Sequence, residues 1–326
     1  MIDALVQLFG QAQQWLFEAV VQPLLFALGQ GALLEDAYNA TGWLLVGLLQ
    51  LAVMLALIGP LQRLRPAEPV RDRAAIRPDI AYTLLHRLGL FRVGLFFLVD
   101  PLWQALWGAL AVHGFSGWHL DEAIAPWWPG VTDTALAAFL VYLLLFDFID
   151  YLLHRAQHRF DAWWALHALH HSQRQMTMWS DNRNHLLDDL IRDALLVQIG
   201  HLIGVAPAQF VAIVAFGQLV ESLSHANLRL SFGLIGERLL VSPRFHRLHH
   251  AIGLGHESAA GRGTLGGCNF AVLFPVWDIL FGTADFRSPV GPTGIRDQLP
   301  EEGGRDYGRG FWAQQRLGLL RLIGRG

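Results

Sequence analysis

The chain has 326 residues, of which 53% are hydrophobic and only 16% charged, with a formal net charge of −3 and a mean hydropathy of +0.34. A soluble domain carries about 25% charged residues, so the composition points to a membrane protein, and the small net charge excludes an electrostatic nucleic-acid binder. One cysteine, Cys268, excludes disulfide frameworks and cysteine-built zinc or iron–sulfur sites within the chain.

The first 35 residues contain Glu18 and Pro23 and are expected to form an interfacial helix rather than a span. Candidate spans need about 20 mostly apolar residues. The first clear one is "TGWLLVGLLQLAVMLALIGPL", beginning at Thr41. Arg63, Arg65, Arg71, Arg73 and Arg77 follow it. The second, "LLHRLGLFRVGLFFLVDPLWQALWGALAV" from Leu84, is long and carries Arg87 and Arg92 near its start. Its following loop contains Trp118, Trp127 and Trp128 but no arginine, as expected of an interfacial tryptophan belt. The third span is "TALAAFLVYLLLFDFIDYLL" from Thr134. The apolar stretch from Asp193 is broken by Gly204 and Pro207 and predicts two short helices that dip into the bilayer and return. Arginine placement puts the tryptophan loop outside and the segments after the first and third spans in the cytoplasm. The tail "RLGLLRLIGRG" is predicted to lie on the inner membrane surface. The expected organisation is N-terminal membrane helices over 1–133, a histidine-rich unit over 134–286 and a C-terminal tail over 287–326. The fold class is all-α, a polytopic helical bundle with a cytoplasmic histidine-rich cap.

Eight of the 15 histidines fall into three groups. His154 and His158 form H-x-x-x-H; His167, His170 and His171 form H-x-x-H-H; His246, His249 and His250 form a second H-x-x-H-H. Residues three or four apart share a helix face, so each group can converge on a metal. Neighbours such as His170 and His171 diverge by about 100° on a helix and suit two adjacent metals better than one. Asp147, Asp150, His154 and His158 form one stripe, and an ionisable residue inside a span is a functional candidate by default. Asp150, one turn before His154, is a candidate to orient its ring. His225, with Glu221 one turn earlier, and His185 are further candidates. His86, His113, His119, His201 and His256 read as interfacial or satisfied polar residues. "GRGTLG", from Gly261, matches G-x-G-x-x-G but follows no predicted strand and reads as a loop.

"DFIDYLLHRAQH", "LHALHHS", "SHANL", "VSPRFHRLHH" and "FPVWDILFGT" occur in that order over residues 134–286. In order, intervals and flanks they resemble the fatty acid hydroxylase and sterol desaturase superfamily of integral-membrane di-iron enzymes. The resemblance implies a bacterial inner-membrane enzyme that hydroxylates or desaturates a lipid C–H bond, sterol-like, fatty-acyl or related. It implies two irons (Fe2+/Fe3+) facing the cytoplasm, O2 as co-substrate, and a separate electron donor such as a ferredoxin, a cytochrome b5-like protein or a reductase. The ligands it implies are His154, His158, His167, His170, His171, His225, His246, His249 and His250, with His185, Asp147, Asp150, Glu221 and Asn269 as possible ligands or supports. No catalytic group beyond the metal cluster is expected. Family members commonly read asparagine–tyrosine–glycine where this chain has Asn269, Phe270 and Ala271, which bears on the substrate subclass. The competing readings are a zinc-dependent membrane hydrolase, disfavoured by the absence of H-E-x-x-H, and a non-catalytic metal-binding membrane protein, which would place its ligands near the membrane midplane.

Overall fold

The computed structural model describes residues 2–253, 267–287 and 291–325. Among them there is no strand, only an isolated bridge between Ala251 and Thr293; the fold is all-α. His256 and the loop 261–266 lie outside the described residues.

The chain begins with α1 (Ile2–Leu16), which continues through a π-helical turn into α2 (Gln22–Ala27). The N-terminal segment lies along α3 (Leu34–Val53): Phe17 meets Tyr38 edge-on, and the Gln13 amide donates to the Tyr38 carbonyl. After a second π-helical turn and α4 (Gly59–Leu64), the continuous helix 31–64 is long and apolar enough to cross a membrane.

The segment from Leu84 is not one span. It lies in α5 (Arg77–Arg87), α6 (Leu90–Leu98) and α7 (Asp100–Val112). Gly89, at φ +75°, lets the chain bend by 56° between α5 and α6. Pro101 then starts a new helix in the first turn of α7 and cannot donate to the preceding one. The short α8 (Leu120–Ile124) leads to a tryptophan-bearing loop in which Trp118, Trp127 and Trp128 are exposed.

α9 (Ala135–Arg159) is the second helix of spanning length, capped by the Thr134 hydroxyl. α10 (Asp161–His171) turns back immediately after it. The predicted short re-entrant pair is instead two 18-residue helices, α11 (Leu186–Ile203) and α12 (Pro207–Ser224), of which α12 qualifies as a span. At 1.5 Å per residue each reaches about 27 Å. Gly204 and Pro207 make the turn between them, and α11 begins before Asp193 because His185 caps it. α13 (Gly233–Leu239), α14 (Pro243–His249), α15 (Val276–Leu280) and α16 (Phe311–Leu322) complete the fold. Among the described residues three helices are long and apolar enough to cross a bilayer, or four with the bent α5–α6 pair, and the protein is a multi-pass membrane protein. Outward leucines such as Leu49, Leu55, Leu57 and Leu140 are exposed, as lipid-facing helices require.

The C-terminal segment does more than lie on a surface. α16 packs on α10 and α5, burying Gln314, Gln315 and Gly318. Arg321 donates to the Ala165 carbonyl. The outer side of α16 still shows Trp312 and Ile323.

Two features pull the spans together. Tyr142, Leu143, Phe146, Leu196, Ile203 and Ile213 form the apolar core between α9, α11 and α12. Beside it, the buried guanidinium of Arg87 donates to Asp181 at 2.9 Å, to Gln50 at 3.2 Å, to Ser222 at 3.0 Å and to Gln218. A charge at membrane depth persists only when paired in this way. The clasp ties α3, α5 and α12 to the turn 180–182.

Candidate metal centre

Nine histidines converge where α9, α10, α12 and α14 meet. α9 contributes His154 and His158, α10 contributes His167, His170 and His171, the end of α12 contributes His225, and α14 with its C-terminus contributes His246, His249 and His250. All nine are buried. Their ring nitrogens form two groups of four, His154, His158, His171 and His249 in one, and His170, His225, His246 and His250 in the other; within each, one nitrogen per residue lies within 4.8 Å of all the rest. Both adjacent pairs, His170/His171 and His249/His250, are split between the groups. His167 belongs to neither group but stands among them, its ring centroid 5.2 Å from His154 and 5.1 Å from His158 and His171.

Hydrogen bonds fix the tautomers. His154 Nδ1 faces the Phe270 carbonyl at 2.8 Å, His249 Nδ1 the Cys268 carbonyl at 2.7 Å and His225 Nδ1 the Glu221 carbonyl at 2.8 Å. A carbonyl only accepts, so each Nδ1 carries the proton and each Nε2 keeps its lone pair for a metal. His167 Nδ1 donates in the same way to Asp188 at 3.1 Å. That carboxylate also accepts from Gln157 at 2.8 Å and from Trp163 at 2.6 Å.

The second group shows what such lone pairs require. His170 and His225 Nε2 lie 3.1 Å apart, His225 and His246 Nε2 2.9 Å, and His246 and His250 Nε2 3.1 Å. With its proton on Nδ1, His225 brings only a lone pair to this cluster. Separations of about 3 Å are the edges expected around one ion at about 2.0–2.1 Å from each nitrogen. Imidazole suits iron, zinc and copper, and these residues fit a metal.

Burial, reinforced by neighbouring imidazoles, holds His170, His171, His246 and His250 well below the usual imidazole range. They are therefore neutral at pH 7, the form that binds metal. The linkage has a definite sign. The unfolded chain takes up protons near pH 6.5, whereas the folded chain resists until lower pH, so these residues contribute stability above about pH 6.5 that is lost as pH falls. Metal-free protein in detergent is expected to melt at progressively lower temperature from pH 7.5 to 5.5. A melting temperature that stays flat or rises over that range would contradict the assignment.

The remaining sequence candidates take other roles. Asp150 does not orient His154; it pairs with Arg192 of α11 at 2.9 Å. Asp147 reaches no histidine but accepts from the Leu273 and Phe274 amides and the Trp277 indole at 2.8, 3.1 and 2.8 Å, tying the loop before α15 to α9. Glu221 supports His225 through its carbonyl, while its carboxylate lies 3.7 Å from Arg192. His185 accepts from the Leu187 amide with Nδ1 and donates to the Gln315 carbonyl with Nε2 at 2.9 Å, so neither nitrogen is available to a metal. Asn269, at φ +61°, accepts from the Asp285 amide at 2.7 Å and donates to the Phe245 carbonyl at 3.0 Å. It shapes the loop whose neighbours Cys268 and Phe270 hold His249 and His154. The Phe270 ring covers the first group, 5.2 Å from His158 and 5.6 Å from His249.

Asp188 and Arg192 were missed in the sequence. The only local signal was the acidic pair in "LLDDL" beside a histidine.

Two cavities complete the site. A polar chamber of about 970 Å³, counted out to its mouth, is walled by His154, His167, His170, His225 and His246 on one side. It adjoins an apolar cavity of about 740 Å³ lined by Leu143, Phe146, Leu196, Phe210 and Ile213.

The architecture is thus that of a polytopic membrane protein with two buried four-imidazole groups beside a chamber that adjoins an apolar cavity. Residues 139–283, a little under half of the chain, match the fatty acid hydroxylase family. It is 28% identical over 279 residues to an ornithine lipid hydroxylase of Rhizobium tropici, covering 83% of this chain and 76% of that protein. It is 27% identical to an alkylglycerol monooxygenase of Caenorhabditis elegans over 44% of this chain and 26% of that protein. It is 26% identical to a very-long-chain aldehyde decarbonylase of Oryza sativa subsp. indica over 57% of this chain and 28% of that protein. The chain therefore spans about a quarter of the length of the latter two. No solved structure matches.

Proposed function

We propose that this protein is a membrane oxygenase that hydroxylates or desaturates a C–H bond of a lipid, with iron in both histidine tetrads, O2 as co-substrate and electrons from a separate ferredoxin, cytochrome b5-like protein or reductase. The observation that carries this reading is the junction of the two four-imidazole groups with a chamber that adjoins an apolar cavity. Bound iron supplies the redox chemistry with O2 that imidazole side chains lack. The protein's residues do the rest. The Phe270, Cys268 and Glu221 carbonyls and Asp188 hold imidazole rings in the tautomer that offers Nε2. Phe270 keeps water from one side of the first tetrad, and the apolar cavity offers a dry bed for a hydrocarbon chain. The relatives named for lipid oxygenation support the same class of reaction.

The orientation has its own support. Asn227, two residues after His225, accepts from the amides of Ala67 and Glu68, and Glu68 pairs with Arg247 of α14. The arginine-rich loop after the first span therefore sits beside the metal centre, and arginine-rich loops remain cytoplasmic. The bacterial inner membrane is the compartment we assign. Imidazole-only tetrads do not favour a zinc hydrolase, which needs an acidic base beside a single metal.

The test is metal analysis of protein expressed in iron-rich medium and purified without oxygen, followed by O2 and a lipid extract. About two irons per chain, one for each tetrad, and oxygen-dependent new hydroxyls or double bonds are expected. One tightly held zinc with no iron uptake on reconstitution would overturn the reading.

A further inference from the structure

The passage between the two cavities is not apolar. Seven residues line both, and five of them are charged: Arg92, Asp150, Arg192, Asp193 and Glu221. They lie at the point through which a substrate must pass, or at which it must stop, to bring a carbon to the imidazole wall. A hydrocarbon chain threaded past this point would strip these charged groups of water and offer them no polar contact in return, which is costly. The charges are also not sealed into permanent pairs. Arg192 bridges Asp150 at 2.9 Å and Glu221 at 3.7 Å, yet the side chains of these three residues remain 27%, 17% and 25% exposed. That exposed surface borders the chamber, where water or a ligand can reach it. A second, independent feature lies in the wall of the chamber. Asn182, 8% exposed, lines the chamber, and its Nδ2 has no hydrogen-bond partner. A buried amide donor without a partner awaits an acceptor.

We propose that this junction is a headgroup subsite for a lipid carrying both an ammonium and an acidic or carbonyl group, with the acyl chain in the apolar cavity and the oxidised carbon in or next to the headgroup. Three carboxylates against two guanidiniums favour a headgroup with an ammonium, which Asp150 and Glu221 receive. Arg192, which pairs with these carboxylates in the structure, and Asn182 then turn to the acceptor oxygen. The placement of the oxidised carbon rests on the oxygenase reading above; the headgroup binding does not.

The test separates the two. Full-length protein in detergent, without O2 or electron donor, is titrated with two lipids of matched acyl chains and followed by native mass spectrometry. One is ornithine lipid, which carries an ammonium and a carboxylate; the other is phosphatidylglycerol, which carries a phosphate and no ammonium. Charge-assisted hydrogen bonds of this kind predict a preference of roughly tenfold or more for ornithine lipid. Glu221→Gln and Asp150→Asn are expected to remove most of that preference while leaving metal content and phosphatidylglycerol binding unchanged. Equal binding of both lipids by the unsubstituted protein, or a preference that survives both substitutions, overturns the subsite. Selective binding without turnover would count against the oxygenase and leave the subsite standing. Turnover confined to acyl carbons, with no headgroup preference, would do the reverse.

Discussion

A chain carrying both His170→Ala and His249→Ala is expected to lose its metal to background and its oxygen-dependent activity with it. Each substitution removes one nitrogen from a different tetrad, so neither site keeps its four ligands. The single substitutions are expected to show intermediate metal content, one site failing before the other. His185→Ala provides the contrast. Its two ring nitrogens serve the start of α11 and the Gln315 carbonyl, so it should keep its metal and lose about 1 kcal/mol of stability, as an N-cap substitution does. Metal analysis by mass spectrometry on these four proteins, beside their melting temperatures, checks this. Retention of full metal by the double variant would dismantle the two-tetrad assignment.

The second large effect is expected far from the metals. A Cβ on Gly47 would stand 1.6 Å from the Arg87 carbonyl oxygen and 2.6 Å from its carbon. The obstacle is backbone, so no rotamer change relieves it. Gly47→Ala must push α3 and α5 apart, which also pulls on the Arg87 clasp to Asp181, Ser222 and Gln50. A loss of about 3 kcal/mol or more is expected, seen as poor recovery from membranes and a lowered melting temperature. Gly108→Ala in α7, where nothing lies within 4 Å of the added Cβ, should be neutral or raise stability by about 0.5–1 kcal/mol. Equal behaviour of the two variants would show that α3 and α5 do not meet as described.

The parts legible in the sequence were those governed by local periodicity. The runs from Thr41 and Thr134 are long and apolar, and both lie in helices of spanning length. The run from Leu84 misled because hydropathy counts residues, whereas Gly89 and Pro101 redirect the backbone without lowering the apolar content. The histidine spacing separates neighbours around a helix, and His170 and His171 fall in different groups of four. Spacing says nothing about partners brought from elsewhere. Asp150 shares a face with His154 on α9, yet its carboxylate is taken by Arg192, 42 residues away. His185 has the residue type of a ligand, but a backbone amide and a distant carbonyl use up its ring. Asp188 escaped notice because its role depends on Gln157, Trp163 and His167 arriving from α9 and α10.

Three of the imidazoles, His154, His225 and His249, are steadied by main-chain oxygens rather than by side chains. Every amino acid brings the same oxygen to its position. Residues 268, 270 and 221 can therefore change identity without withdrawing the support, provided the loop 268–270 and the end of α12 keep their course. The side chains packed against the histidine cluster, Phe270 among them, can then change while the imidazoles stay aimed. The substitutions expected to disturb the imidazoles most are therefore those that reshape the backbone carrying these carbonyls, such as a change at Asn269 with its left-handed backbone, more than a change of the side chains that face the cluster.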